Sequence, residues 1–193
     1  MKGKPIDKFV SDQLSVWPLV SANYRALKGV KTRSMDIGGL TVQLQCNPSR
    51  IGSSDARTDA ETVSSRKCLL CASNRPSQQA SMPFEGRKGR KYDIILNPYP
   101  IFPGHLVAVR KRHVPQSIWH NFVDMLDLSR EYQDYTIFYN GPASGASIPE
   151  HLHFQACPRH STPLENDIDA LLPNTSRHED FGPLKYMTSI QDA

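Results

Sequence analysis

Over His151-Leu-His-Phe-Gln155 the chain alternates polar and apolar residues. Side chains two apart on an extended strand share a face, so this alternation predicts a half-buried strand with Leu152 and Phe154 turned inward. His151, His153 and Gln155 then line the opposite face. A lone His-x-His is often an exposed strand pair or an accidental metal site. The preceding residues argue otherwise: Asn140, Gly141, Ser144, Gly145 and Ser147 form a Gly- and Ser-rich loop just before the pair. Such a loop offers backbone N–H groups and hydroxyls, the means by which proteins cradle phosphate. An imidazole beside a phosphate cradle points to nucleophilic attack on phosphorus through a covalent phospho-histidine-type intermediate.

Composition narrows the classes. A chain of 193 residues can bury one full core, and its 15 prolines imply many turns. No apolar run reaches membrane-spanning length, and the basic start Met1-Lys-Gly-Lys-Pro5 lacks the apolar segment of a secretory signal, so a cytoplasmic protein is expected. The net charge of +4 suits an anionic ligand such as a nucleotide without identifying nucleic acid. The basic run Arg87 to Lys91 has no interleaved aromatic residues and reads as a solvated loop.

Four cysteines are present, Cys46, Cys68, Cys71 and Cys157. Under reducing conditions the Cys68-x-x-Cys71 pair more often binds metal than forms a structural disulfide. Two thiolates do not complete a tetrahedral site, and His113 and His151 are the candidates to complete it. A redox dithiol and two plain core cysteines are the alternatives. Zinc would be structural if protein fills all four positions, and iron is another occupant for such a set.

Helical spacing predicts a helix from Pro5 to about Val30, broken or kinked at Pro18. A Gly38-Gly39 turn should precede a strand over Leu40–Gln45 with Leu40, Val42 and Leu44 inward. Residues 47–66 and 72–91 read as loops. Further strands are expected over 92–97, 104–110, 135–139 and 151–155, and a helix over 115–130 with Ile118, Phe122, Met125 and Leu126 on one face. A short helix fits 166–172. No internal repeat is visible.

Asn-Gly-x-x-x-Gly-x-Ser over Asn140–Ser147, followed by His151-x-His153-x-Gln155, resembles the nucleotidyltransferase branch of the histidine-triad (HIT) superfamily. That branch includes galactose-1-phosphate uridylyltransferase, diadenosine tetraphosphate phosphorylase and GDP-L-galactose phosphorylase. A bacterial family of unknown function typical of Bacteroidetes also shares the blocks Gln45–Arg50, Cys68–Pro76, Asn97–Pro103 and Tyr139–Ala156. The resemblance implies an α+β fold: a HIT-like antiparallel sheet with flanking helices, a single half of a two-half transferase architecture. It divides the chain into an N-terminal helical segment (1–35), a HIT-like domain (36–160) and a C-terminal tail (161–193). About forty residues follow the motif, too few for a second half by domain-size standards. The expectation is a truncated chain or a single-half protein that forms a homodimer. Cys157-Pro158 stands where the bacterial family has glycine.

The resemblance also assigns roles. Cys68, Cys71, His113 and His151 would hold zinc, leaving His153 for chemistry. His153 would attack the α-phosphorus of a nucleoside diphosphate compound, and a phosphate-bearing acceptor would then take the nucleotide. Gln155 would donate its amide to a non-bridging oxygen; HIT hydrolases carry a third histidine there. Gly145, Ala146 and Ser147 would stabilise phosphate charge, and Asn140 would contact phosphate or ribose. Asn97 resembles an asparagine near the ribose or base, with a strand-ending Asx turn as its plain alternative. Arg50 matches a phosphate-facing arginine, with Arg57 and Arg75 as weaker guesses, and Phe102 could border a base pocket. His105, His120, His160 and His178 have no partner pattern and read as structural or exposed. A HIT-type hydrolase and a non-catalytic zinc-bound nucleotide-binding module are the alternatives to a transferase or phosphorylase. No nucleic-acid or membrane partner is expected.

Overall fold

The computed structural model describes residues 4–50 and 57–171. Two helices open the chain, α1 (Lys4–Val16) and α2 (Pro18–Ala26), with the predicted break at Pro18 serving as the first turn of α2. Proline fits there because its missing N–H would be unpaired in any case. A hairpin follows, β1 (Lys31–Ile37) and β2 (Leu40–Cys46), then the short helix α3 (Ala60–Ser65). The main sheet comprises β3 (Met82–Glu85), β4 (Lys91–Leu96), β5 (Leu106–Arg110), β6 (Tyr135–Phe138) and β7 (His153–Pro158). Helix α4 (Phe122–Glu131) lies between β5 and β6, and α5 (Pro163–Leu171) follows β7. The sheet order is β3-β4-β5-β7-β6, with every pair antiparallel. The expected α+β architecture with flanking helices is therefore present.

Alternation along the central strands gives the sheet two faces. Tyr92, Ile94 and Leu96 of β4, Leu106 and Ala108 of β5, and Phe154 and Ala156 of β7 pack with Ile6, Trp17 and Val20 of the N-terminal helices. Leu152 joins this core as expected, together with Leu128 of α4. Ile95, Val107 and Val109 point the other way and meet Cys68 and Leu70 in a smaller cluster. The register sets His153 opposite Val109 and Gln155 opposite Val107, which puts both polar residues on that second face.

Several expectations need correction. Residues 31–35 are strand, not helix, and β3 lies within the segment read as loop. Leu40 and Leu44 do not point inward: they are 42% and 51% exposed, because β2 pairs only with β1 and the hairpin stands apart from the main sheet. Thr41, through its amide and hydroxyl, donates to Asp167, which fastens the hairpin to α5. Helix α4 starts at Phe122, after a left-handed His120 (φ 63°) that interrupts the predicted helix. Phe122 and Leu126 are consequently exposed, while Leu128 turns inward. The strand predicted from His151 begins at His153. His178 and the end of the predicted 166–172 helix lie outside the described residues.

The basic run forms the β3–β4 turn, and three of its four cations have ion-pair partners: Arg87 with Asp127, Arg90 with Asp124 and Lys91 with Glu85. Asp124 is fully buried and also accepts from the Tyr92 hydroxyl at 2.7 Å. A β-carbon on Gly86 would lie 2.8 Å from Asp124 Oδ1, so glycine lets the turn close onto α4. Removing one member of a buried ion pair strands the other, which costs about 3–5 kcal/mol. Asp124→Ala should lose on the order of 3 kcal/mol of stability in urea denaturation, while Lys88→Ala, in the same turn, should change it little.

Candidate active site

His151 and His153 lie where the chain enters β7, held by the segment that follows β5. The Arg110 amide donates to Leu152 O at 3.0 Å, and the Leu152 amide donates to Val114 O at 2.7 Å. His151 is buried, and its Nε2–H donates to the Arg110 carbonyl at 2.6 Å. A carbonyl can only accept, so this bond fixes the tautomer and leaves Nδ1 unprotonated. That nitrogen lies 3.3 Å from Cys68 Sγ and 3.5 Å from Cys71 Sγ, and His113 Nδ1 lies 3.2 Å from Cys71 Sγ.

All four predicted ligand residues thus come together, their donor atoms within 4.8 Å of one another. Tetrahedral zinc with two sulfur and two nitrogen ligands spaces its donors by about 3.5 Å. The donor set fits a metal in chemistry as well as distance: two thiolates would neutralise a divalent cation, and the Arg110 carbonyl orients one imidazole as outer partners of metal ligands do. With thiols alone, burial pushes Cys68 up to about 11. Arg75 supports the cysteine loop. It donates to Leu70 O at 2.9 Å and pairs with Asp93 at 3.0 Å, a structural position in place of the guessed phosphate contact.

His153 is 7% exposed, and its Nδ1–H donates to the His151 carbonyl at 2.8 Å. The neutral ring therefore carries its lone pair on Nε2, which no hydrogen bond engages among the described residues. Burial holds the His153 imidazolium down, against the pull of that carbonyl bond and of Glu150. The ring is thus kept in its neutral, nucleophilic form.

Gln155 has a partner that the sequence reading missed. His105 is fully buried, and its Nδ1 accepts the Ile101 backbone N–H at 3.2 Å. The remaining hydrogen sits on Nε2 and is donated to Gln155 Oε1 at 2.8 Å. With its oxygen pinned, Gln155 presents its NH2 group, and no hydrogen bond engages it among the described residues. A ring edge from Phe102 and a stacked Phe138 enclose His105. No spacing rule links positions 105 and 155; their juxtaposition comes from the β5–β7 register.

The Gly/Ser loop is tied down at one end. Arg66 makes a two-pronged pair with Glu150 at 2.9 and 2.8 Å and also donates to Ser147 O at 2.9 Å. Gly145 has φ +87°, a region favouring glycine, and a β-carbon there would meet nothing within 4 Å. The backbone conformation, not lack of room, is therefore what favours glycine at this turn. Ala146 is buried. Asn97 forms the Asx turn, accepting the Tyr99 amide at 2.9 Å. Arg50 Nε donates to Tyr99 O at 3.2 Å, and its charge is felt at His105. Arg57 pairs with Asp59, which caps α3.

The α+β fold thus carries His153 and Gln155 on one face of β7 and brings His151, just before that strand, to the cysteine loop. Residues 9–158 match the family described as a domain of unknown function (DUF4922), and the chain belongs to that family. It is also 31% identical over 113 residues to galactose-1-phosphate uridylyltransferase of Staphylococcus saprophyticus, a match covering 52% of this chain and 22% of that one. A crystal structure of yeast Ap4A phosphorylase Apa2 aligns with 17% identity and TM-score 0.47, covering 87% of this chain and 56% of that one. The AMP complex aligns with 15% identity and TM-score 0.45, covering 80% and 54%. The chain thus spans about a fifth of the uridylyltransferase and little over half of the phosphorylase. Among the described residues, no helix is long and apolar enough to cross a membrane.

Burial pushes His105 from 6.5 down to about 4, against the pull of the Gln155 bond and with a smaller push from Arg50 in the same direction. As pH falls through that window, the unfolded chain binds a proton that the folded chain refuses, so this contribution to stability is lost. The difference in urea stability between pH 7 and pH 4.5 should be smaller for His105→Gln than for wild type, by roughly 2–3 kcal/mol. Equal differences would contradict the buried neutral imidazole.

Proposed function

We propose that the chain carries the nucleotide-transferring site of a nucleotidyltransferase or NDP-sugar/dinucleotide phosphorylase. The observation that carries this reading is the His153 ring, whose Nδ1–H is bound to the His151 carbonyl and whose Nε2 is unengaged on the same strand face as the Gln155 amide. Nε2 attacks the α-phosphorus of a nucleoside diphosphate derivative. A P–N bond forms, and the P–O bond to the departing sugar phosphate or nucleotide breaks, that oxygen keeping the electron pair. A phosphate oxygen of the acceptor then attacks the same phosphorus, breaks the P–N bond and returns the neutral imidazole. Splitting one displacement into two is the advantage of a covalent intermediate.

Gln155 donates its amide to a non-bridging oxygen, and the backbone at Gly145–Ser147 receives the remaining charge. Asn140 and Asn97 lie on the ribose side, and Arg50 meets the phosphate of the leaving or entering group. Cys68, Cys71, His113 and His151 would hold zinc and so tie the cysteine loop to the entry of β7. With all four positions filled by protein, such an ion would be structural.

Intact-protein mass spectrometry after brief incubation with NDP-sugars and diadenosine tetraphosphate tests the reading. Wild type should gain the mass of one nucleoside monophosphate, and His153→Ala should gain none while keeping its melting temperature within a few degrees. Turnover retained by His153→Ala refutes the nucleophile. Cys68→Ser should release the metal, measured by plasma emission analysis, and lower the melting temperature. Unchanged metal content and melting temperature refute the metal assignment.

A further inference from the structure

Gln116 is buried to 3% exposure on the segment between β5 and α4, and the chemistry described so far makes no use of it. Its Oε1 accepts the His153 backbone N–H at 2.8 Å. Its Nε2 donates to His153 O at 3.1 Å and to Asn140 O at 2.9 Å. The Gln116 backbone N–H donates to Pro149 O at 3.0 Å, so the residue is held from the far end of the loop as well.

The place of these bonds in the sheet gives them meaning. Strands β6 and β7 pair from Tyr135↔Pro158 to Phe138↔Gln155, and the ladder stops there. Continued by two residues, it would set Asn140 directly against His153. The Gln116 carboxamide stands in that position instead, bonded to both backbones. It parts the strands by the width of one side chain where the Gly/Ser loop departs and where the histidine sits. The opened strand end keeps its polar backbone groups satisfied, as buried groups must be.

We infer that Gln116 is a positioning residue: its carboxamide wedges β6 from β7 and sets the distance between the His153 ring and the phosphate-binding turn at Gly145. The inference rests on the reading of His153 as the nucleophile. The wedge acts through the backbone and touches no substrate. Without it the two strands can zip together, drawing Asn140 toward His153 and turning the His153 ring out of line with the α-phosphorus. Reactive geometry is sensitive to such shifts: a misplacement of about 1 Å can cost on the order of 100-fold in rate.

Two variants separate wedging from packing. Gln116→Met keeps volume and removes every side-chain hydrogen bond. Gln116→Glu keeps an acceptor for the His153 N–H but turns a carboxylate oxygen toward two carbonyls. Backbone amide exchange by NMR reads the geometry without reference to catalysis. In Gln116→Met the His153 amide should exchange more than tenfold faster, with the other β7 amides and those of β5 unchanged; in Gln116→Glu it should stay protected. The rate of nucleotide-adduct formation, with whichever of UDP-glucose, GDP-glucose or diadenosine tetraphosphate labels wild type, should fall about 10- to 100-fold in both variants. The donor concentration for half-maximal rate should move less than about threefold, because ground-state contacts are untouched. An unchanged His153 exchange rate in Gln116→Met overturns the wedge. Faster exchange spread across all of β7, or faster exchange with an unchanged adduct rate, reduces Gln116 to a packing residue. If wild type forms no adduct with any donor, the proposed chemistry falls, and the exchange measurement still decides whether Gln116 holds His153.

Discussion

One residue joins the two halves of the site. The side chain of His151 completes the Cys68, Cys71 and His113 cluster, while its backbone carbonyl takes the Nδ1–H of His153. Its ring is aimed by the Arg110 carbonyl, which belongs to the neighbouring strand. A shift of His151 would therefore move a member of the Cys/His cluster and disturb the bond that sets the His153 tautomer together. His153 and Gln155 sit on a strand paired on both sides, and side chains on strands are held more closely than those on loops.

His105 and Gln155 form a second, separate chain of constraints. The Ile101 amide sets the His105 tautomer, His105 sets the Gln155 amide orientation, and Gln155 presents its donor. Each step follows from which atom can donate and which can accept. An amide aimed in this way is a fixed dipole whose direction the fold sets. That His105 stays neutral matters as well: a charged ring would donate from both nitrogens and repel the Ile101 amide.

Much of this was legible in the residues. Period-two alternation placed Leu152 and Phe154 in one core and the histidines on the other face, because both faces of β7 are covered and the pattern is clean. The clustering of Cys68, Cys71, His113 and His151 was legible because few residue types can ligate metals. The N-terminal hairpin was misread because neither of its faces packs on the main sheet, so hydrophobicity carries no inward signal there. Strand β3 is four residues long and contains Pro83, a weak signal beside its neighbours. Gln116, His105 and the Arg66–Glu150 clamp were invisible for a different reason. Each acts on a partner at least 37 positions away, and a polar residue carries no mark of a distant partner in one sequence.

The two faces of the sheet differ in how they are held. The helix-covered face has an extended apolar core, whereas the site face rests on a small cluster under the cysteine loop. Cooperative units with few apolar contacts open first, well below the global unfolding threshold. A preparation in which the cysteine loop frays can thus keep a native-looking circular dichroism spectrum and an ordinary elution volume. For this molecule, bulk measures of foldedness and competence of the site are separate properties. The divide between them runs along the plane of the sheet.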